Sequence, residues 1–142
     1  WFKTQTPGTK VVIGAGPDIE SYKAKYPDVI FLGPVTDLPL KSKLYSKMDV
    51  FVFSSLTDTF GNVQLEAAAT GTPVAAFPNT GSSGVVEKNQ IGVTHKDLAT
   101  AIEEALKMDR SKVREQVLPL GWQDTALQML HYMKALPSNK KP

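Results

Sequence analysis

Five short apolar runs, separated by segments with helical features, constrain the fold of this chain more than any other feature. The first four runs are continuous rather than alternating with polar residues, which is typical of strands buried on both faces of a parallel sheet, and the fifth run is weaker. The predicted strands are Lys10–Gly14, Val29–Gly33, Asp49–Phe53, Pro73–Phe77 and Gly92–His95. Because strands and helices alternate along the chain, the sequence predicts an α/β domain whose parallel sheet carries helices on both faces.

Six segments between and after these strands are predicted to be helical. The clearest places Leu98, Ile102 and Ala105 on one apolar stripe. The predicted helices are Pro17–Lys25, Lys41–Lys47, Asn62–Thr70, Gly84–Lys88, Lys96–Met108 and Asp124–Leu136.

Composition limits the classes of function. The 142 residues are 42% hydrophobic, which is enough for one domain with a real core. The net charge of +2 does not favour a nucleic-acid partner, and the chain has no cysteine for disulfides or thiolate metal sites. No run approaches the roughly 20 apolar residues of a membrane span, and no signal peptide precedes the first strand, so a cytoplasmic protein is expected. Lys140 and Lys141 form only a short basic tail, for which we expect a solvated terminus rather than attraction to anionic lipid.

The segment Asp58–Ala67 carries the chemistry. It follows an apolar run and leads into helix formers, so a buried strand ends, a loop offers one carboxylate, and a helix begins with unpaired backbone N–H groups. A helix N-terminus favours an anion. The carboxylates of Asp58 and Glu66 would flank that anion and accept hydrogen bonds from hydroxyls. A diphosphate between hydroxylated rings is the chemistry of a sugar nucleotide.

This segment resembles the donor-binding motif of retaining glycosyltransferases of the GT-B architecture, the group 1 or family 4-like enzymes with two Rossmann-like domains. Asp58 and Glu66 keep the spacing of the two acids in that motif, and Phe60–Gly61 and Leu65 match between them. Gly71–Val74 matches its close. The first acid is normally glutamate, so this side chain is one methylene shorter.

The resemblance implies a role for each residue of the motif. Glu66 would accept both ribose hydroxyls of the donor, and Asp58, the candidate catalytic residue, would contact hydroxyls of the transferred sugar. Backbone N–H groups after Phe60 would bind the diphosphate. The alternatives are an ordinary first-turn acid for Glu66, a helix-capping loop residue for Asp58 and a core side chain for Phe60. The candidate donor-binding residues of this segment are Phe60, Gly61, Asn62, Val63 and Glu66.

Two further turns resemble donor contacts of the family. Gly14–Pro17 is similar to a Gly-Asp-Gly-Pro turn, in which the backbone of Gly16 would approach the nucleotide. Leu32–Val35 is similar to the place where backbone groups bracket the base, which makes Gly33 and Pro34 candidates. In both cases a plain turn after a strand is the alternative.

The beginning of the chain departs from the family pattern. The resemblance implies a strand, a glycine-rich turn with an Arg and a Lys, and a helix, of which Trp1–Lys3 resembles only the tail. The absent first strand would lie in the middle of the sheet, between the strands that contain Val11 and Val50. Either those two strands pair directly, another chain fills the slot, or the chain is a piece of something longer. We expect residues 1–142 to be one nucleotide-sugar-binding domain, the C-terminal half of a larger enzyme.

The resemblance implies transfer of a hexose from a GDP- or UDP-linked sugar, with no metal and no other cofactor. The acceptor would bind the absent N-terminal domain, and the full enzyme would be a candidate for peripheral membrane association. The chain alone is expected to be inactive. The alternatives are a non-catalytic module that binds a nucleotide or sugar phosphate and a domain similar to sugar-nucleotide epimerases.

Overall fold

A computed structural model describes residues 1–58, 60–78 and 83–121 of the chain. Strands and helices alternate in it as the sequence predicts, up to a last pair of consecutive helices. The elements are β1 (Val11–Ile13), α1 (Ile19–Lys25), β2 (Ile30–Gly33), α2 (Leu38–Lys47), β3 (Phe51–Phe53), α3 (Asn62–Ala69), β4 (Val74–Ala76), α4 (Ser83–Lys88), β5 (Gly92–Thr94), α5 (Leu98–Ala105) and α6 (Arg110–Val117).

The strands form two parallel sheets rather than one. β1 pairs with β2, with Val11 opposite Ile30. The second sheet has the order β3-β4-β5, with Phe51 opposite Val74 and Val74 opposite Gly92. All pairing is parallel, so the predicted α/β class with a parallel sheet is confirmed.

The core is built on the three-stranded sheet. All three residues of β4 are buried, because β4 has a strand on each side and helices over both faces. One apolar cluster, which includes Ile91 and Val113, covers one face. A second cluster joins Ala75 to the α5 stripe that contains Leu98 and Ile102. The helical stripe predicted for α5 therefore packs as expected.

Burial on both faces is confirmed for β4 and wrong for the first three strands. β1 is only partly buried along its length, and Ile30 and Leu32 on β2 are 48% and 45% exposed. In β3 only Phe53 is fully buried. The physical reason is that β1, β2 and β3 each have only one strand partner within the described residues.

β1 and β3 do not pair with each other, so the first of the three expected solutions for the missing strand is wrong. Instead, a cavity of about 1070 Å³ separates the two strands and is lined by residues of both. The described strands therefore leave a gap at the place where the absent first strand would lie.

One helix was not predicted from the sequence. The predicted helix Lys96–Met108 ends at Ala105, and α6 follows after a short break. Asp109 begins α6 by accepting a hydrogen bond from the Ser111 N–H at 2.9 Å. The sequence lacked a signal for α6 because Val113 is its only buried residue. The predicted helix Asp124–Leu136 lies outside the described residues.

Candidate functional site

The junction between β3 and α3 has the predicted form. Gly61 is the N-cap of α3 and has φ 71° and ψ 59°, a left-handed conformation that glycine adopts without steric cost. Among the described residues, no side-chain hydrogen bond caps this helix. Within the same residues, the N–H groups of Asn62 and Val63 lack the carbonyl partners that a preceding turn of helix would supply. The backbone at this junction is arranged as an anion site would require.

Glu66 lies one turn into α3 and faces α2. Its Oε2 atom is 2.9 Å from Lys41 Nζ, and it accepts a hydrogen bond from the Tyr45 hydroxyl at 3.4 Å. Its side chain is 38% exposed, whereas that of Lys41 is 21% exposed. Glu66 is thus oriented by two partners on a neighbouring helix and remains open to solvent on its other side.

Tyr45 is the buried member of this group. Burial, followed by the negative charge of Glu66 and the hydrogen bond to it, raises the pKa of Tyr45 to about 12. The hydroxyl is therefore protonated at neutral pH and acts as a hydrogen-bond donor to the carboxylate. A protonated phenol and an ammonium group together leave Glu66 as an acceptor with a defined orientation.

Contacts with the rest of the core fix the position of α2 against α3. The Thr72 hydroxyl donates to the Tyr45 carbonyl at 2.6 Å. The Arg110 guanidinium donates to the carbonyls of Ser46 and Met48 and to the Thr72 hydroxyl. Because these bonds hold the C-terminal end of α2, the helix that carries Lys41 and Tyr45 is anchored.

Asp58 is placed differently. Its Oδ1 atom accepts a hydrogen bond from the Phe60 N–H at 2.9 Å, so the carboxylate stabilises its own loop and does not cap α3. Phe60 is 50% exposed, so its interpretation as a core residue is wrong. The described contacts of Asp58 lie in the loop and those of Glu66 lie on α2. No described contact brings the two acids together, and their joint role stays a prediction.

The remaining candidate residues form a second group at the carboxyl end of β1 and β2. The Gly14 N–H donates to the Gly33 carbonyl at 2.8 Å, which joins the turn after β1 to the end of β2. Gly33 has φ 75°, a conformation suited to glycine. Gly16 and Pro34 are exposed nearby in the chain. No described contact links this group to Glu66.

Lys41 and Tyr45 are the residues that sequence reasoning missed. Their spacing of four residues places them on one face of α2, and the sequence alone could have predicted this. Their contact with Glu66 could not be predicted from a local sequence pattern, since it joins residues more than 20 positions apart.

No group of three or more His, Cys, Asp or Glu side chains suited to a metal ion occurs among the residues that the structure describes. In the same residues, no helix has the length and apolar character needed to cross a bilayer.

Comparison with known proteins identifies the family. The pattern of Glycosyl transferases group 1 matches residues 4–108, which is most of the chain. The chain belongs to this family.

Curated relatives agree. The chain is 35% identical over 106 residues to alpha-monoglucosyldiacylglycerol synthase of Streptococcus pneumoniae, a match that spans 68% of this chain and 24% of that protein. It is 31% identical over 121 residues to D-inositol 3-phosphate glycosyltransferase of Corynebacterium urealyticum, spanning 78% and 28%. The chain thus corresponds to about a quarter of the length of these relatives.

Solved structures support the fold. AviGT4, a glycosyltransferase involved in avilamycin A biosynthesis, superposes on 87% of this chain and 41% of its own, with a TM-score of 0.68 and 18% identity. WaaG, a glycosyltransferase involved in lipopolysaccharide biosynthesis, superposes on 77% and 32%, with a TM-score of 0.59 and 20% identity. These likenesses confirm the predicted Rossmann-like α/β fold.

Proposed function

We propose that residues 1–142 form the donor-binding domain of a retaining glycosyltransferase that transfers a hexose from a nucleoside-diphosphate sugar. The observation that carries this proposal is the arrangement around Glu66. Its carboxylate is oriented by Lys41 and Tyr45, and it belongs to α3, the helix whose N-cap is Gly61. A carboxylate beside free helix N–H groups suits a ribose beside a diphosphate.

Each group of the site has a distinct task in this proposal. The Glu66 carboxylate accepts hydrogen bonds from the two ribose hydroxyls. The N–H groups of Asn62 and Val63 bind the diphosphate, to which Gly61 allows a close approach. As the bond between the sugar and the diphosphate breaks, these donors stabilise the charge that develops on the leaving group. In this proposal the transfer reaction therefore needs no metal ion or other cofactor.

Asp58 has the proposed catalytic role. Its Oδ1 atom is engaged by the Phe60 N–H, which leaves its second oxygen available for a hydroxyl of the transferred sugar. Gly16, Gly33 and Pro34 would contact the nucleotide from the other sheet. Phe60, half exposed beside Gly61, would pack against the donor.

The acceptor would bind a separate N-terminal domain. The two curated relatives are named for a diacylglycerol glycolipid and for inositol 3-phosphate, so hydroxylated lipids and polyol phosphates are the acceptors to test first. A lipid acceptor would bring the full enzyme to the membrane surface from the cytoplasm. Residues 1–142 alone are expected to bind the donor without transferring its sugar.

The direct test is calorimetric titration of the chain with GDP, UDP and their glucose and mannose conjugates. We expect one of these nucleotides to bind, and the Glu66→Gln variant to bind it about 10- to 100-fold more weakly, because hydrogen bonds to a charged acceptor contribute about 1.5–3 kcal/mol. Glu104→Gln is the matched control, since Glu104 pairs with Lys107 on the exposed surface of α5. Binding that is equal in both variants would contradict the assignment of Glu66.

A non-catalytic binding module is the second candidate. It is favoured by the observation that Glu66 and Asp58 have separate contacts, so that the ribose contact proposed for Glu66 does not depend on the sugar contact proposed for Asp58. The two candidates differ in their response to Asp58→Asn. Donor binding by a transferase domain depends on the sugar, so the variant loses the preference for the sugar conjugate over the free nucleotide. A nucleotide-binding module shows no such preference in either form.

A further inference from the structure

The C-terminal end of α2 is held by polar bonds from two other parts of the fold, and the proposed function gives no task to the residues that make them. The central one is Arg110, the first residue of α6. We propose that Arg110 is a positioning residue for the donor site, because it holds α2 where its side chains orient Glu66 for the ribose. Its effect passes through Tyr45 and Lys41. This inference rests on the proposed role of Glu66.

The position of α2 depends on polar bonds because little of the helix is packed in the core. Of its ten residues only Tyr45 is fully buried, and Leu38 and Leu40 near its beginning are 68% and 48% exposed. Helices are usually held in place by a whole apolar face. The last carbonyl groups of a helix have no partner within it, and in α2 these are the groups that the rest of the fold binds.

Arg110 bonds to two carbonyls at the end of α2. One nitrogen of its guanidinium donates to the Met48 carbonyl. The other donates to the Ser46 carbonyl at 2.9 Å and to the Thr72 hydroxyl at 3.2 Å. The planar group of donors lets one side chain fix all three acceptors at once. The positive charge also lies at the negative end of the α2 dipole, which favours this arrangement.

Thr72 connects Arg110 to Tyr45. Thr72 is fully buried, and its hydroxyl accepts the bond from Arg110 and donates to the Tyr45 carbonyl at 2.6 Å. Tyr45 is therefore held at both ends, at its carbonyl by Thr72 and at its hydroxyl by Glu66. The distance from the hydroxyl to Glu66 Oε2 is 3.4 Å, which is longer than the usual O–H···O distance of about 2.7 Å. A small movement of α2 would therefore break this contact.

Lys41 would move together with Tyr45. It lies one turn earlier on the same face of α2, and its Nζ atom is 2.9 Å from Glu66 Oε2. A shift or rotation of the helix therefore displaces both donors to Glu66. The carboxylate would keep its place in α3 but lose the contacts that restrict its rotamer. Ribose binding would then have to restrict that rotamer as well, which lowers the affinity.

Arg110 is too far along α3 to be a ligand of the diphosphate. Thr72, which it contacts, follows the C-terminal end of α3, whereas the N–H groups proposed for the diphosphate lie at the start of that helix. The eight residues of α3 span about 12 Å. The start of α6 packs tightly at the same far end, since a Cβ atom on Gly71 would lie 2.9 Å from the Arg110 carbonyl oxygen. Arg110 therefore acts through α2.

The first test needs no ligand. In Arg110→Ala, a ¹³C NMR titration of labelled tyrosine should find the pKa of Tyr45 below about 12 and closer to 10.0, because burial and the Glu66 contact both weaken. The sign is diagnostic, since loss of a positive charge alone would raise this pKa. Arg114→Ala is the matched control and should not lower it. Arg114 is an exposed residue one turn further along α6, and its side chain has no hydrogen bond or ion pair among the described residues.

The second test is a double-mutant cycle on nucleotide affinity, with GDP and UDP as the probes. Arg110→Ala should weaken binding about 3- to 10-fold, and Arg114→Ala should not. In the Glu66→Gln background, Arg110→Ala should change the affinity less than about twofold, because the carboxylate that it positions is absent. A direct contact with the ligand, or a general loosening of the domain, would instead weaken binding by the same factor in both backgrounds.

A milder pair of variants covers the case in which Arg110→Ala does not fold. Thr72→Val removes the hydroxyl, so the Tyr45 carbonyl loses this donor. Thr72→Ser keeps the hydroxyl. We expect the valine variant to lower the pKa of Tyr45 and the nucleotide affinity, and the serine variant to restore both. Because unfolding would also lower this pKa, methyl NMR spectra must show a folded chain throughout the titration.

Two results would overturn the proposal. A pKa of Tyr45 that is unchanged or higher in Arg110→Ala and Thr72→Val would show that these residues do not position α2. Equal weakening of nucleotide binding with and without the Glu66 carboxylate would show that Arg110 acts by another route. If neither GDP nor UDP binds to the wild type, the proposed donor site is wrong, and the titration alone decides whether Arg110 positions Tyr45.

Discussion

β1 and β4 show how differently two similar strands can be placed in one molecule. Each is a parallel strand of three small or branched apolar residues. Val74 and Ala75 in β4 are fully buried, whereas β1 is only partly buried throughout. β4 has a strand on both sides and helices on both faces, whereas β1 pairs only with β2 in the described structure. An apolar run therefore indicates a strand, but the neighbours of that strand decide how deeply it is buried.

The same contrast extends to whole regions. Residues 1–44 contain no fully buried residue, whereas the region from Tyr45 to Val113 contains all the buried residues that the structure describes. Glu66 and Tyr45 belong to the buried region, and Lys41 contacts Glu66 from the end of the open one. The Gly14–Gly33 group belongs to the open one. We therefore expect the two regions to contribute unequally to stability, and donor binding to depend first on the buried region.

The largest expected effect is a difference between two identical substitutions. Ile91 is fully buried, so Ile91→Ala should lower the free energy of unfolding by about 2–5 kcal/mol through lost apolar contact and a cavity. Ile30 is 48% exposed, so Ile30→Ala should lower the free energy of unfolding by less than about 1 kcal/mol. Urea unfolding of both variants measures the difference. Equal losses would show that the open region is as well packed as the buried one.

Two glycines give a smaller contrast of the same kind. Gly33 and Gly71 have φ values of 75° and 82°, so alanine at either position incurs about 1–2 kcal/mol of backbone strain. A Cβ atom on Gly71 would also lie 2.9 Å from the Arg110 carbonyl oxygen, whereas one on Gly33 meets nothing within 4 Å. Gly71→Ala should therefore lower the thermal midpoint more than Gly33→Ala. Equal shifts would contradict the close approach of α6 to the end of α3.

Much of the fold could be predicted from the sequence because it depends on short local patterns of residues. Continuous apolar runs predict parallel strands, and Gly71 predicts the end of α3, where its positive φ suits a left-handed C-terminal residue. The start of α3 at Asn62 was likewise predicted from the sequence. The absence of the usual first strand was expected from the family resemblance, but the direct pairing of β1 with β3, one of the three expected solutions, does not occur.

The rest depends on contacts between distant residues. α6 has little apolar character, and it is held by Val113 in the core and by Arg110, which bonds to carbonyls at the end of α2. The partners of Glu66 are another such case, because no local pattern connects α2 to α3. The partial exposure of β1 could not be predicted from its own residues, because it depends on whether another strand pairs with the second edge of β1.

The smallest expected effect is a change in the free energy of unfolding at high pH. It comes from Tyr45, the buried partner of Glu66. The pKa of Tyr45 is raised from 10.0 to about 12, mainly by burial and then by the charge of Glu66. The stability that this neutral hydroxyl contributes is present in full below pH 10 and is lost as pH rises towards 12. The difference in unfolding free energy between the wild type and Tyr45→Phe should therefore be constant at lower pH and shrink across this window. In Glu66→Gln, absorbance titration should find a lower pKa for Tyr45, and an unchanged value would show that the carboxylate does not act on this hydroxyl.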